Sequence, residues 1–246
     1  QTALRAPGHP QAAFAMESIM DELADKLDMD PMELRQKNDP DETRREMVKI
    51  GAEKFGWSKR RQTPGPAAGI QRGMGMGSGV WGGGGGRTKA EGVIHPDGSV
   101  EIRCGTQDVG VGTKTVIAQI AAEEFGLTLE DIIVKIGDTN YPPSGGSGGS
   151  TTCASVSPAV KNTVQMAKLK LFDTFASSTF GVSPHDLEAK DGKVFVKSDP
   201  SKSMTWQQAA AQLGDEPLIV QGQWVPGYSS SGVPTVQFVE VEVNTA

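Results

Sequence analysis

The amino-acid sequence predicts an α+β fold, with mixed sheets and packed helices. Two observations lead there. Segments with helical spacing and segments with strand spacing follow one another in irregular order, not in the strict alternation of a doubly wound sheet. In addition, Pro96-Asp97-Gly98 separates two β-branched runs, which is the pattern of an antiparallel hairpin.

Taken in order, Pro10 to Leu27 places Phe14, Met16, Ile19, Met20, Leu23 and Leu27 at helical spacing, with acids on the other face. Asp30 is an N-cap with Pro31 at the first helical position, opening a short helix through Arg35. A third helix runs from Glu42 to Trp57, ending near Gly56. The hairpin follows, with strands at Ala90 to Ile94 and Val100 to Cys104. Gly112 to Phe125 is helical, Leu127 to Asp131 a short helical turn, and Ile132 to Ile136 a strand. A Gly/Ser loop leads into a helix from Val156 to Phe175. Val194 to Val196 forms a strand after Asp191-Gly192, Thr205 to Leu213 a helix, and Leu218 to Trp224 and Val236 to Val243 two final strands. No internal repeat is visible. One compact unit, or two lobes divided near residues 64–86, both accommodate this order.

Composition limits the function. Hydrophobic residues at 37% and charged residues at 22% are ordinary for a globular protein. A net charge of −6 argues against nucleic acid, and Lys59-Arg60-Arg61 reads as a solvated loop. No apolar run reaches the ~18 residues of a membrane helix. Cys104 and Cys153 are too few for a disulfide framework, so a cytoplasmic protein is expected, with the periplasm as the alternative.

The 31 glycines are unevenly spread. They cluster at Gly73 to Gly86, Gly105 to Gly112 and Gly145 to Gly149, and read as loops converging on a ligand rather than as linkers. The octet Asp108 to Thr115 precedes a helix, whose free N–H groups form a natural anion site. It differs from a phosphate-binding P-loop because Thr113 separates Gly112 from Lys114, and a plain strand-to-helix turn explains it equally well. The loop Ser147 to Ser157 offers hydroxyls and amides ahead of the next helix, or a cap on a linker. Arg5, His9, His95 and His185 read as turn or surface residues, and Glu123 and Glu124 as a solvated helix face. No nucleophile–base pair or metal-ligand set assembles.

In combination these segments resemble the molybdenum-cofactor-binding subunit of the xanthine dehydrogenase/aldehyde oxidase family. Arg5-Ala6-Pro7-Gly8-His9-Pro10-Gln11, followed by Phe14-Ala15-Met16-Glu17-Ser18, looks like the family's arginine-glycine segment opening a helix. Asp30 to Asn38 resembles its next helix, and Gly105 to Thr113 the loop that approaches molybdenum. Gly137-Asp138-Thr139 and Ser150 to Ser157 resemble the stretch that holds the pterin. The likeness covers residues 1–246 in the family's order. It implies a molybdopterin cofactor, in bacteria often a dinucleotide form such as the cytosine dinucleotide. Aldehydes or N-heteroaromatic compounds would be hydroxylated with water as the oxygen source, and electrons would leave through iron–sulfur clusters and FAD on partner domains or subunits.

By the same resemblance Arg5, Gly110, Val111, Gly112, Thr152, Cys153, Ala154, Ser155, Val156 and Ser157 contact the cofactor. Pro7, Val80 and Trp81 border the substrate channel, and no residue ligates the metal directly. Many family members carry Gln where Val111 stands. The family's catalytic glutamate, in a Gly-x-Gly-Glu motif, and its Gly-Gly-x-Phe-Gly segment are not in this sequence. The chain is therefore expected to be part of a larger subunit, lacking its N- and C-terminal parts and inactive alone. A P-loop-like nucleotide-binding protein and a noncatalytic interaction domain are the competing expectations.

Overall fold

The computed structural model describes residues 6–60, 69–229 and 232–246. In chain order the helices and strands are α1 (His9–Lys26), α2 (Pro31–Asn38), α3 (Glu42–Phe55), β1 (Ile70–Trp81), β2 (Lys89–Ile94), β3 (Val100–Cys104), α4 (Thr113–Phe125), β4 (Ile132–Ile136), α5 (Thr152–Asp173), β5 (Leu187–Lys190), β6 (Lys193–Val196), β7 (Asp199–Thr205), α6 (Trp206–Ala210), β8 (Leu218–Gln223) and β9 (Val233–Asn244). Two compact units form: one runs to Trp81 and takes in Gly232–Ala246, and the other holds the chain between.

In the first unit β1 pairs antiparallel with β9 along its whole length, from Ile70 opposite Asn244 to Trp81 opposite Val233. The glycines of β1 alternate with Met74, Met76 and Ser78, so one face of the strand is bare and the other carries side chains. Met76 is buried with Val48, Ala52 and Trp57, against which Met74, Val236 and Phe238 pack. A Cβ on Gly51 of α3 would lie 2.4 Å from the Phe238 ring, so α3 and β9 meet at van der Waals distance only with glycine there. Buried Arg35 joins the helices to the ribbon. It donates to Glu17 and Asp21 at 2.7 Å each, and Glu17 also accepts the Ser78 N–H. The apolar stripe of α1 is not what that helix buries, for Phe14 is 79% exposed and Ile19 58%. Its acids face Arg35 instead.

The second unit is built on a four-stranded sheet in the order β4-β3-β2-β8. β2 is antiparallel to β3 and β8, while β3 and β4 run parallel, joined through α4. Ile102, Ile117, Val160 and Phe172 lie in one continuous core between this sheet and α4 and α5. A Cβ on Gly222 of β8 would come within 2.8 Å of the Thr163 backbone, so glycine there lets α5 lie against the sheet. The antiparallel meander β5-β6-β7 and α6 complete the unit.

The α+β fold is therefore observed, with corrections to its elements. The glycine stretch from Gly73 to Gly79, expected as a loop, is strand β1, and Val80 and Trp81 are its last residues. β5 and β7 were not expected; β7 contains Pro200, which an outer strand of the meander tolerates. Helix α5 starts at Thr152 rather than Val156, so most of the expected binding loop is helix.

Candidate functional site

The site-forming loops of the second unit begin where β3 ends. Cys104 is buried and donates its thiol to the Lys89 carbonyl at 3.3 Å, and burial pushes that thiol up in pKa. Gly105 follows, its N–H donating to the Pro142 carbonyl at 2.8 Å. A Cβ on Gly105 would be 2.9 Å from that oxygen, so a side chain is excluded. Two residues on, Gln107 accepts the Ser147 N–H at 3.0 Å on its side chain and the Ser147 hydroxyl at 2.8 Å on its carbonyl. The second and third glycine clusters are thus stitched together. Between these contacts Thr106 is fully buried and its hydroxyl has no protein partner.

Asp108 decides what the next turn can bind. Its Oδ1 accepts the N–H groups of Gly110, Val111 and Gly112 at 2.9, 3.0 and 3.3 Å, and Oδ2 accepts that of Lys114 at 3.2 Å. The Lys114 amide, then those of Gly110, Val111 and Gly112, hold this carboxyl below its ordinary value. The amides of Gly110, Val111, Gly112 and Lys114 are therefore already engaged around the start of α4. A phosphate seated on this turn would have to displace that carboxylate, which, together with the displaced Lys114, argues against a P-loop. With those amides engaged, Gly110, Val111 and Gly112 offer a ligand no free N–H from this turn. What Val111 presents outward is an apolar side chain, 62% exposed.

The start of α5 is different. The Thr151 hydroxyl donates to the Gly148 carbonyl at 2.8 Å, and no side chain caps the helix. The N–H groups of Thr152, Cys153 and Ala154 belong to the first helical turn, which has no intrahelical acceptors. Ser155 and Val156 are buried, Cys153 is exposed, and the Cys153 thiol and Ser157 hydroxyl are 3.3 Å apart. Ahead of this turn Gly145, Gly146, Gly148 and Gly149 have open space on their Cβ side, and Ser150 adopts a left-handed φ of 61°. Amide and hydroxyl donors beside an open glycine loop fit a polar ring or an anionic group. A bare metal fits less well: among the described residues no cluster of three His, Cys, Asp or Glu side chains is present.

The remaining expected site residues lie in the first unit. Pro7 is exposed in the turn before α1, and Val80 is 51% exposed at the end of β1. The Trp81 ring lies against that of His9, centroids 4.3 Å apart and planes tilted by 48°, and its indole N–H is buried without a partner. Arg5 lies outside the described residues. Thr106 and Gly85, both in the second unit, lie in stretches that the sequence singled out but were not named as site residues, and Trp224 was expected only as the end of a strand. For Trp224 a signal existed: Pro158 within a helix leaves the carbonyl of Ala154, four residues earlier, in need of a donor from elsewhere.

A family model described as the molybdopterin cofactor-binding domain matches residues 50–246, and a second model of the same description matches residues 1–39. The chain belongs to the molybdopterin cofactor-binding domain family, that of aldehyde oxidoreductases and xanthine dehydrogenases. Among its relatives, the aldehyde oxidoreductase molybdenum-binding subunit PaoC of Escherichia coli O157:H7 is 34% identical over 260 residues, covering 99% of this chain and 34% of that subunit. The chain therefore spans about a third of the length of this curated relative. Quinoline 2-oxidoreductase from Pseudomonas putida 86 shares the fold, with a TM-score of 0.81 at 18% identity over 95% of this chain and 35% of that one. Aldehyde oxidoreductase from Desulfovibrio desulfuricans ATCC 27774 superposes with a TM-score of 0.65 at 26% identity, over 98% of this chain and 27% of its own. No helix among the described residues is long and apolar enough to cross a membrane.

Proposed function

We propose that this chain is the portion of an aldehyde-oxidising molybdenum hydroxylase that holds the pterin side of the cofactor. The single observation carrying this reading is the likeness, along 99% of the chain, to the molybdenum-binding subunit of an aldehyde oxidoreductase. When bound, the cofactor supplies a two-electron oxidation with water as the oxygen source; the protein supplies binding and orientation. The N–H groups of Thr152, Cys153 and Ala154 would hold carbonyl or phosphate groups of the cofactor, and the hydroxyls of Ser155 and Ser157 would add donors beside them. A dinucleotide form such as the cytosine dinucleotide, iron–sulfur and FAD partner subunits, and a cytoplasmic location belong to the same reading. Arg5, Pro7, Val80 and Trp81 are assigned their cofactor and channel roles on the family resemblance alone.

Val111 supports the choice of substrate. Its side chain has no hydrogen-bond donor and its N–H is held by Asp108. That side of the site therefore offers apolar surface and suits an aldehyde with a hydrophobic body. A purine would leave polar edges unpaired there, at about 1–3 kcal/mol each. The test is kcat/KM of the assembled enzyme for aromatic aldehydes against xanthine and hypoxanthine. The aldehydes are expected to lead by about tenfold or more, each tenfold being ~1.4 kcal/mol. A preference for the purines sinks the reading.

A further inference from the structure

An α-helix carbonyl accepts the N–H four residues on. For Ala154 that residue is Pro158, buried inside α5, which has no N–H and whose ring crowds the carbonyl four residues earlier. The Ala154 carbonyl is therefore lost to the helix ladder one turn from the α5 start. Two donors from outside the helix take it: the Trp224 indole N–H at 3.0 Å and the Ser229 hydroxyl at 3.2 Å. The glycine run between β1 and β2 closes on the same atom. A Cβ on Gly85 would stand 2.0 Å from the Ala154 oxygen and 2.7 Å from the Trp224 indole nitrogen. Trp224 is itself tied to the sheet, following directly on β8 and donating its own N–H to the Thr88 carbonyl at 2.8 Å.

We propose that Trp224 is a positioning residue for the cofactor-holding first turn of α5, acting through the Ala154 carbonyl that Pro158 leaves free. This rests on the function proposed above. The turn has no side-chain cap, and at its start Thr151 is tied back to the Gly148 carbonyl of its own loop rather than to the sheet. A rigid indole anchored to β8 grips the last residue of that turn from the side and holds the Thr152, Cys153 and Ala154 amides in one orientation. Proline inside the helix is then a working part of the device: it frees the acceptor that the sheet uses as a handle.

The test uses the complete enzyme with its partner subunits, following molybdenum by mass spectrometry and pterin by fluorescence during dilution. Trp224→Phe keeps the aromatic body and removes the N–H. It is expected to lose both molybdenum and pterin about 3- to 10-fold faster than the parent, the span of one neutral hydrogen bond. Adding Pro158→Ala returns an N–H to the helix ladder but not the tie to β8, so the double variant is expected to regain stability to denaturant while still losing cofactor faster than the parent. A merely structural hydrogen bond predicts that stability and cofactor retention recover together. Should Trp224→Phe fail to assemble, Ser229→Ala with and without Pro158→Ala gives the same comparison with a smaller change. Retention in Trp224→Phe at the parent rate, or full recovery of cofactor retention on adding Pro158→Ala, overturns the proposal. A parent enzyme free of molybdenum and pterin overturns the proposed function, and this inference with it.

Discussion

The starts of α4 and α5 are the two regions to compare. Each follows a glycine-rich loop, and the loops are joined through Gln107 and Ser147. At α4 four amides converge on the carboxylate of Asp108, a residue of the same turn. At α5 the preceding residues are Gly148, Gly149, Ser150 and Thr151, with no acid among them, and the Thr151 hydroxyl is turned to a carbonyl. Glycines supply backbone freedom to both turns, so they do not distinguish a binding turn from a closed one. An internal anion does: it satisfies the donors that a ligand would otherwise use.

The largest expected effect tests the open turn. Ser155 is buried just inside α5, so Ser155→Leu places bulk at the turn proposed to hold the cofactor. In the assembled enzyme this variant is expected to lose most of its molybdenum with unchanged circular dichroism. Full metal content would remove Ser155 from the site.

Second comes the packing difference. Gly85 meets the Ala154 carbonyl, whereas Gly110 has open space around it and asks only for its φ of 94°. Gly85→Ala is expected to destabilise the protein by about 1–3 kcal/mol through overpacking, and Gly110→Ala by about 1 kcal/mol or less through backbone strain. Denaturant midpoints of the two variants decide the order, and equal shifts break the comparison.

The smallest effect is a pH dependence confined to the closed turn. The Asp108 carboxyl is held below its ordinary 3.8 in the fold, so its capping contribution is fully present above that value. It is lost as pH falls through the lower folded value. Hydrogen exchange of Gly110 to Lys114, corrected for intrinsic rates, is expected to speed up on acidification below about pH 4, while Thr152 to Ala154 show no such step. Asp108→Ala should show the fast exchange already at neutral pH.

Much of the second unit could be read directly from the sequence. The β2–β3 hairpin announces itself through Pro96-Asp97-Gly98, and α4 through Val116, Ile117, Ile120 and Phe125, because these signals are local. β1 escaped because every second residue is glycine, leaving Met74 and Met76 as its only apolar core contacts, and because its partner β9 is distant in the chain. The start of α5 escaped for another reason. Thr151, Thr152, Ser155 and Ser157 have weak helix preference, and tertiary burial of Ser155, Val156 and Pro158 overrides it. At the candidate site, the ordered motifs named the loops that follow β3 and precede α5. The capture of the α4 amides by Asp108 was open to reading as an Asx-type turn. For the link from Trp224 to Ala154, Pro158 signals only that the Ala154 carbonyl needs an outside donor; which residue supplies it, 70 positions away, has no local pattern.

The ribbon of β1 and β9 also constrains the order in which the protein can be made. Ile70 pairs with Asn244 and Trp81 with Val233, and the whole of the second unit is encoded between the two strands. On the ribosome the second unit can be fully synthesised while β1 still waits for its partner. Until then its bare glycine face and unpaired backbone groups stand as an open edge, the kind of surface that recruits a neighbouring chain. Closing so large a loop is slow relative to local pairing, so the first unit is the last to complete and the one most in need of protection while it waits.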